Sequence, residues 1–172
     1  MSSANNPVFG NDVTVIDDTA VYPLGTERLV LGSQTGVGDQ VWRYVLNNSA
    51  LAYTQGQVVM AAATTTSGGT SILATQDAPK DRILGVAQTY TTAGSALTTF
   101  GAGKYGWVLA HGYGSVLSAA AGVAADVTIG VSATAGAIYA SPASVAGAIG
   151  AMGYNHVAIG AGLVGTAWID CR

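Results

Sequence analysis

The stretch KYGWVLAHGYGSV, residues 104–116, decides how the chain is read. Tyr105, Trp107, Leu109, His111 and Tyr113 occupy one parity, and Gly106, Val108, Ala110, Gly112 and Gly114 occupy the other. A strand turns successive side chains to opposite faces, so the pattern predicts one broad aromatic face and one face of nearly bare backbone. The aromatic parity is expected to supply core area, each ring burying about 150–250 Å². Each glycine costs about 0.5–1 kcal/mol in folding entropy, which is offset where another backbone must come close. Two occupants of the bare face stay open on sequence alone: a second sheet of the same chain, or a neighbouring subunit or partner protein. VWRYVLNN, residues 41–48, repeats the habit, with Trp42, Tyr44 and Leu46 on one face and Val41, Arg43 and Val45 on the other.

From Tyr22 onward the signals are β throughout. TERLVLGS, GQVVMAAA, RILGVAQTY, DVTIGVSA, GAIYAS, NHVAIGAG and TAWIDC are short runs rich in Val, Ile, Tyr, Trp and Thr, and turn-formers such as SGG, AGSA, GAG and SPAS separate them. Sustained helical periodicity is absent, and SVLSAAAGVAA has room for a turn or two at most. Residues 21–172 are therefore expected to form a single all-β domain, an antiparallel β-barrel or sandwich of short strands. Residues 1–20 are polar apart from VTVI and predict an extended N-terminal arm that finds order against something else, with Val13 and Val15 as contact residues. An internal echo pairs Ile83 with Ile149 and Trp107 with Trp168. It is read as two similar strand pairs filling one core rather than as a duplication, because strands share a restricted vocabulary.

Charged residues make up 9% of the chain, against about 25% in ordinary soluble proteins, and the deficit suits a surface that meets other protein. A net charge of −3, with basic residues scattered at Arg28, Arg43, Lys80, Arg82, Lys104 and Arg172, argues against a nucleic-acid partner. Lone Cys171 gives neither a disulfide framework nor a metal pair, reads as a small buried filler, and suits a reducing folding compartment. MSSANNPVFG has neither the basic start nor the apolar run of a signal peptide. Residues 127–153 carry no charge but are interrupted by Gly130, Gly136, Pro142, Gly147 and Gly150, so no membrane span is expected.

The inventory of chemistry is thin. GAGKYG, residues 101–106, fits GxGxxG, yet a strand pattern follows it where a dinucleotide site needs a helix. His111 and His156 are the only imidazoles, and the acidic residue closest to His111 in sequence is Asp126. With no HxH, HxxxH, Cys/His cluster or GxSxG, both read as structural histidines, and no enzyme activity, metal or cofactor is expected. Asp17 and Asp18 are adjacent and point apart on a strand, so they do not act as a carboxylate pair. DAPKDR, residues 77–82, gathers Asp77, Lys80, Asp81 and Arg82 into an exposed loop or a salt-bridging contact with a neighbouring chain. Asn47-Asn48-Ser49 is a formal glycosylation sequon.

The run of YTQGQVVMAA, RILGVAQTY, YGWVLAHGYGSVL, AGVAADVTIGVSATAGAI and AIGAMGYNHVAIG, spanning residues 53–160, resembles the small head-decoration, or capsid cement, proteins of tailed bacteriophages. Those families show a GxVV strand, an ILGVA strand, a GxV…G strand and an AG…D…TAGA stretch. The resemblance implies a homo-oligomer, a trimer favoured, made in the host cytoplasm and carried on the outer surface of the head. There it would bridge subunits of the major capsid protein and stabilise the shell, with the arm of residues 1–20 reaching a neighbour. The interface residues expected on this reading are Val13, Val15, Asp77, Lys80, Asp81, Arg82, Gly106, Gly112 and Gly114. Deleting residues 2–20 is expected to leave the β domain folded and to weaken attachment. Two other roles remain: a tail or head-fibre base domain, and a carbohydrate-binding β-sandwich using Trp42, Trp107 or Trp168 as a stacking platform.

Overall fold

Runs such as VVMA and ILGV leave no position for a polar face, and the fold buries both of their faces. The computed structural model describes residues 13–32, 37–62, 69–74, 82–92, 95–97, 99–140 and 151–171. In chain order the strands are β1 (Glu27–Val30), β2 (Gln40–Asn47), β3 (Tyr53–Thr54), β4 (Val58–Ala61), β5 (Thr70–Leu73), β6 (Ile83–Val86) and β7 (Tyr90–Thr92). They continue as β8 (Ser95–Leu97), β9 (Thr99–Phe100), β10 (Tyr105–Leu117), β11 (Val127–Val131), β12 (Ile138–Ala140), β13 (Ala151–Asn155) and β14 (Val164–Asp170). Every described element is a strand, so the fold is all-β.

Ten strands join in the order β1-β2-β5-β4-β6-β10-β14-β13-β11-β12, and β10 also pairs with β2. That extra pairing closes β2, β5, β4, β6 and β10 into a five-stranded ring, a small barrel, from which β14, β13, β11 and β12 continue as a flanking sheet. The ladders are antiparallel except β2 with β5, which run parallel through Leu46↔Thr70 and Asn47↔Ser71. Neighbouring residues of the ring strands divide between two cores. Trp42 and Tyr44, Val58 and Met60, Ile83 and Val86, and Trp107 and Leu109 enter the larger one with Ile129, Met152 and Ile169 of the flanking sheet. Val45, Val59, Leu84 and Val108 enter the smaller one with Tyr53, Tyr90 and Phe100. Apolar residues at consecutive positions are what strands covered on both faces require.

β10 is where the sequence reading and the structure part. Leu109 pairs with Trp42 and His111 with Val41, so Ala110 is an extra residue, a β-bulge. A one-residue insertion reverses the facing of everything beyond it. Tyr105, Trp107 and Leu109 pack on the larger core as expected, but His111 and Tyr113 turn outward, and Gly112, Gly114 and Val116 take the inner side. The single aromatic face predicted from alternation is two half-faces on opposite sides of the sheet.

Part of the N-terminal arm is laid along the barrel. Asp17 and Tyr105 exchange two backbone hydrogen bonds of 2.8 and 2.9 Å. The Tyr44 hydroxyl donates to Asp17 Oδ2 at 2.8 Å, Lys104 Nζ reaches Asp18 Oδ1 at 2.7 Å, and Ile16 packs against the smaller core. Val13 is buried against the larger core, and Val15 is half-buried.

Where β2 leaves β10, side-chain amides replace the missing strand. Gln40 Nε2 donates to the Tyr113 carbonyl at 2.7 Å. Gln88 Oε1 accepts from the Ser115 N–H at 2.8 Å while its Nε2 donates to the Ser115 carbonyl at 3.0 Å, which reproduces the two bonds of a strand neighbour. Gln88→Leu therefore strands both backbone groups and is expected to cost about 2 kcal/mol. Denaturant titration checks this, together with faster hydrogen exchange at the Ser115 amide; an unchanged midpoint contradicts it.

Three buried phenols set the alkaline limit of the fold. Burial, the largest cause, pushes Tyr53 up to about 12 and holds Tyr44 and Tyr90 well above the ordinary phenol value. Their hydroxyls lie on Ser71 Oγ at 3.1 Å, Asp17 Oδ2 at 2.8 Å and the Trp107 carbonyl at 3.0 Å. A raised folded value means that the native state holds protons the unfolded chain has released. The stabilisation is full below about pH 10, where the unfolded phenols start to ionise, and is lost as pH rises through the folded values. Unfolding free energy should stay level to about pH 10 and fall steeply above it, with these three phenols ionising only as the fold is lost. Ionisation of all 8 tyrosines near pH 10 with the fold intact would contradict this.

Candidate interaction surface

Strand pairing beyond the bulge builds one outward face. Residues of β10 and β14 meet in register as His111↔Asp170, Tyr113↔Trp168, Ser115↔Thr166 and Leu117↔Val164; Trp168 in turn meets Tyr154 of β13, and Tyr154 meets Thr128 of β11. The row Tyr113, Trp168, Tyr154 and Thr128 crosses four strands on the side away from Ile169 and Ala167, which enter the core. Trp168 stands edge-to-face with His111 at 4.8 Å and with Tyr113 at 5.1 Å between ring centroids. His156, just past β13, lies 4.7 Å from the Tyr154 ring and 6.3 Å from that of Tyr113. Such ring pairs contribute about 0.5–1.5 kcal/mol each beyond the area they cover.

A carboxylate stands at either margin. Asp170 Oδ1 lies 3.3 Å from His111 Nδ1, and Asp126 Oδ1 lies 3.7 Å from His156 Nδ1. The His111–Asp170 contact joins residues 59 apart in sequence, which only the β10–β14 register could reveal. Asp126 takes a left-handed backbone, φ 56°, in the turn before β11. Val164, which pairs with Leu117, is exposed at the end of the same face. Among the described residues no group of three or more His, Cys, Asp or Glu side chains is placed to hold a metal ion.

The residues expected to form an interface are dispersed. Gly106 is buried beneath the arm, where a Cβ would stand 2.9 Å from Ile16 Cδ1. Gly112 meets the Asp39 carbonyl, and Gly114 meets Leu109 and Gln88. The bare face of β10 is thus filled by the same chain, one of the two occupants left open above. Arg82 donates to the Ala61 carbonyl at 2.6 Å. Asp77, Lys80 and Asp81 lie outside the described residues, as does Ile149. Of the three tryptophans, Trp42 and Trp107 are buried and Trp168 is half-exposed. Asn47 of the formal sequon is fully buried, its amide donating to the carbonyls of Leu51 and Phe100 at 3.0 and 2.9 Å. GAGKYG turns directly into β10, with no helix to receive a phosphate. Cys171 is buried.

No protein-family model matches the chain, and no curated protein matches it significantly. Among the described residues no helix is long and apolar enough to cross a membrane.

Proposed function

We propose that this protein is a non-enzymatic structural component of a bacteriophage head, a decoration or cement protein that attaches to the outer surface of the shell and braces neighbouring subunits of the major capsid protein. The observation that carries the reading is the amount of apolar surface left open on a chain with so few charges. Val21, Leu29, Leu31 and Val37 are exposed within or close in sequence to β1, the first strand of the ten-stranded sheet, and Val157, Leu163 and Val164 are exposed between the end of β13 and the start of β14. Exposed apolar side chains on a chain with few charges suit contact with other macromolecules, and an end strand offers backbone groups to a neighbour. A decoration protein meets many symmetry-related copies of its partner, so modest contacts add through avidity. A homo-oligomer, with a trimer favoured, multiplies them further.

The test is co-sedimentation with shells assembled in the absence of this gene product. Saturable pelleting at a fixed ratio to the shell subunit, with shells that then survive heating better, is the expected result. Protein that stays in the supernatant at every concentration contradicts the proposal.

A further inference from the structure

We infer that the outer edge of β1 is a self-association site, where β1 of a second copy pairs antiparallel across a two-fold axis and joins two sheets into one. β1 stands at one end of the ten-stranded sheet, and among the described residues its ladder partner is β2. The Tyr44 N–H donates to the Thr26 carbonyl at 2.8 Å. Bonding alternates along an antiparallel ladder, so Arg28 and Val30 turn their backbone groups toward β2. Glu27 and Leu29 aim theirs the other way, where no described residue meets them. Leu29 is 56% exposed and Leu31, just past the strand, 50%, while Val30 between them packs on the larger core.

A row of open N–H and C=O groups is answered by the backbone of another strand. The far end of the sheet does not supply it. At β12 the Ile138 carbonyl accepts from the Ala119 N–H at 2.9 Å, and Ser118 bridges to the same residue, so the chain itself occupies that edge. Copies therefore do not add head to tail, β1 to β12. They meet β1 to β1, an isologous contact that closes after two. Charge sets the direction. An antiparallel register centred on Leu29 places Glu27 opposite Leu31 of the second copy and Arg28 opposite its Val30, so no like charges face each other. A parallel register would align Glu27 with Glu27 and Arg28 with Arg28. Glu27 also enters the seam with its charge answered, since Arg43 of its own chain lies 2.6 Å away. In this register the two Leu29 residues exchange a pair of backbone bonds, and Leu29 and Leu31 of both copies gather on the outward side beside Val41.

β1 is only four residues long, so the contact is small and forms as concentration rises rather than permanently. The pairing needs no shell, and it stands apart from the head-decoration reading whether one chain or a trimer carries the edge. Sedimentation equilibrium of the full-length protein across a wide range of concentration tests it, beside Leu29→Lys, Leu29→Pro and Val157→Lys. The unaltered protein is expected to approach twice its dilute mass, with the Leu29 amide exchanging about tenfold more slowly in the heavier form. Leu29→Lys sets two ammonium groups against each other, and Leu29→Pro removes an N–H that β2 does not use; each should weaken association about tenfold or more with the β2 amide spectrum kept. Val157→Lys, an exposed apolar position in the segment between β13 and β14, should associate like the unaltered protein. Four results would each overturn the inference. They are equal masses for the unaltered protein and folded Leu29→Lys at every concentration, a freely exchanging Leu29 amide in the heavier form, equal loss of association in Val157→Lys, and an unaltered protein that keeps its dilute mass while Leu29→Lys loses only shell binding.

Discussion

Gly112→Val is expected to lower the unfolding free energy by on the order of 4 kcal/mol, close to the lower end of what a whole domain possesses. Gly112 sits just past the bulge with φ 113°, a backbone conformation that a β-branched residue almost never adopts. A Cβ there would lie 2.7 Å from the Asp39 carbonyl oxygen and 3.2 Å from the Gln40 Cα, both backbone atoms that cannot swing aside. Strain of about 1–3 kcal/mol thus adds to an overpacking cost of similar size. Gly103 supplies the comparison. It is also left-handed, φ 71°, but a Cβ there meets nothing within 4 Å, so Gly103→Ala should cost only about 1 kcal/mol. Calorimetry of both variants reads the difference directly. Equal shifts would mean that the approach of β2 to β10 at the bulge is not tight.

Removing residues 2–20 is expected to destabilise the domain by on the order of 5 kcal/mol, and so to lower the melting temperature by about 10–20 °C. The deletion strips the Asp17–Tyr105 bridge, leaves the Tyr44 hydroxyl without its carboxylate, and uncovers Gly106 and the flank of the smaller core where Ile16 sits. Burial of Ile16 and Val13 contributes about 1.5–3 kcal/mol for each side chain, and a buried bond to a carboxylate about as much again. The sequence alone suggested that this deletion would leave the β domain folded and weaken attachment; the contacts of residues 13–18 add a cost in stability to that expectation. A shorter deletion, of residues 2–12, retains all of them and should melt well above the longer one. Thermal melts of the two truncations decide the matter, and indistinguishable curves would show that the arm carries no stability.

The strand content was legible because it rests on local vocabulary. VVMA, ILGV and the alternation in VWRYVLNN say what they become, and β2 divides its side chains between two cores in the parity its sequence predicts. The outward face was hidden for two physical reasons. Period-two reading assumes that no residue is extra, and Ala110, small and apolar, gives no sign that it is one; Gly112 was the available clue, since a glycine inside a strand often marks a bulge. The partners of His111 and Trp168 depend on register between β10 and β14, whose paired residues lie 47 to 59 positions apart. No local pattern encodes that pairing. The β2–β10 closure and the parallel β2–β5 pairing are invisible in sequence for the same reason.

Hydroxyl-radical footprinting of the isolated protein tests the division of β10 most directly, because it compares three indoles in one sample. With the bulge at Ala110, Trp168 should be oxidised at least ten times faster than Trp42 and Trp107, which the core encloses, and His111 should show intermediate reactivity. Comparable oxidation of Trp107 and Trp168, or a protected Trp168 beside a reactive Trp107, would mean that the aromatic stripe is unbroken and that the outward face does not exist.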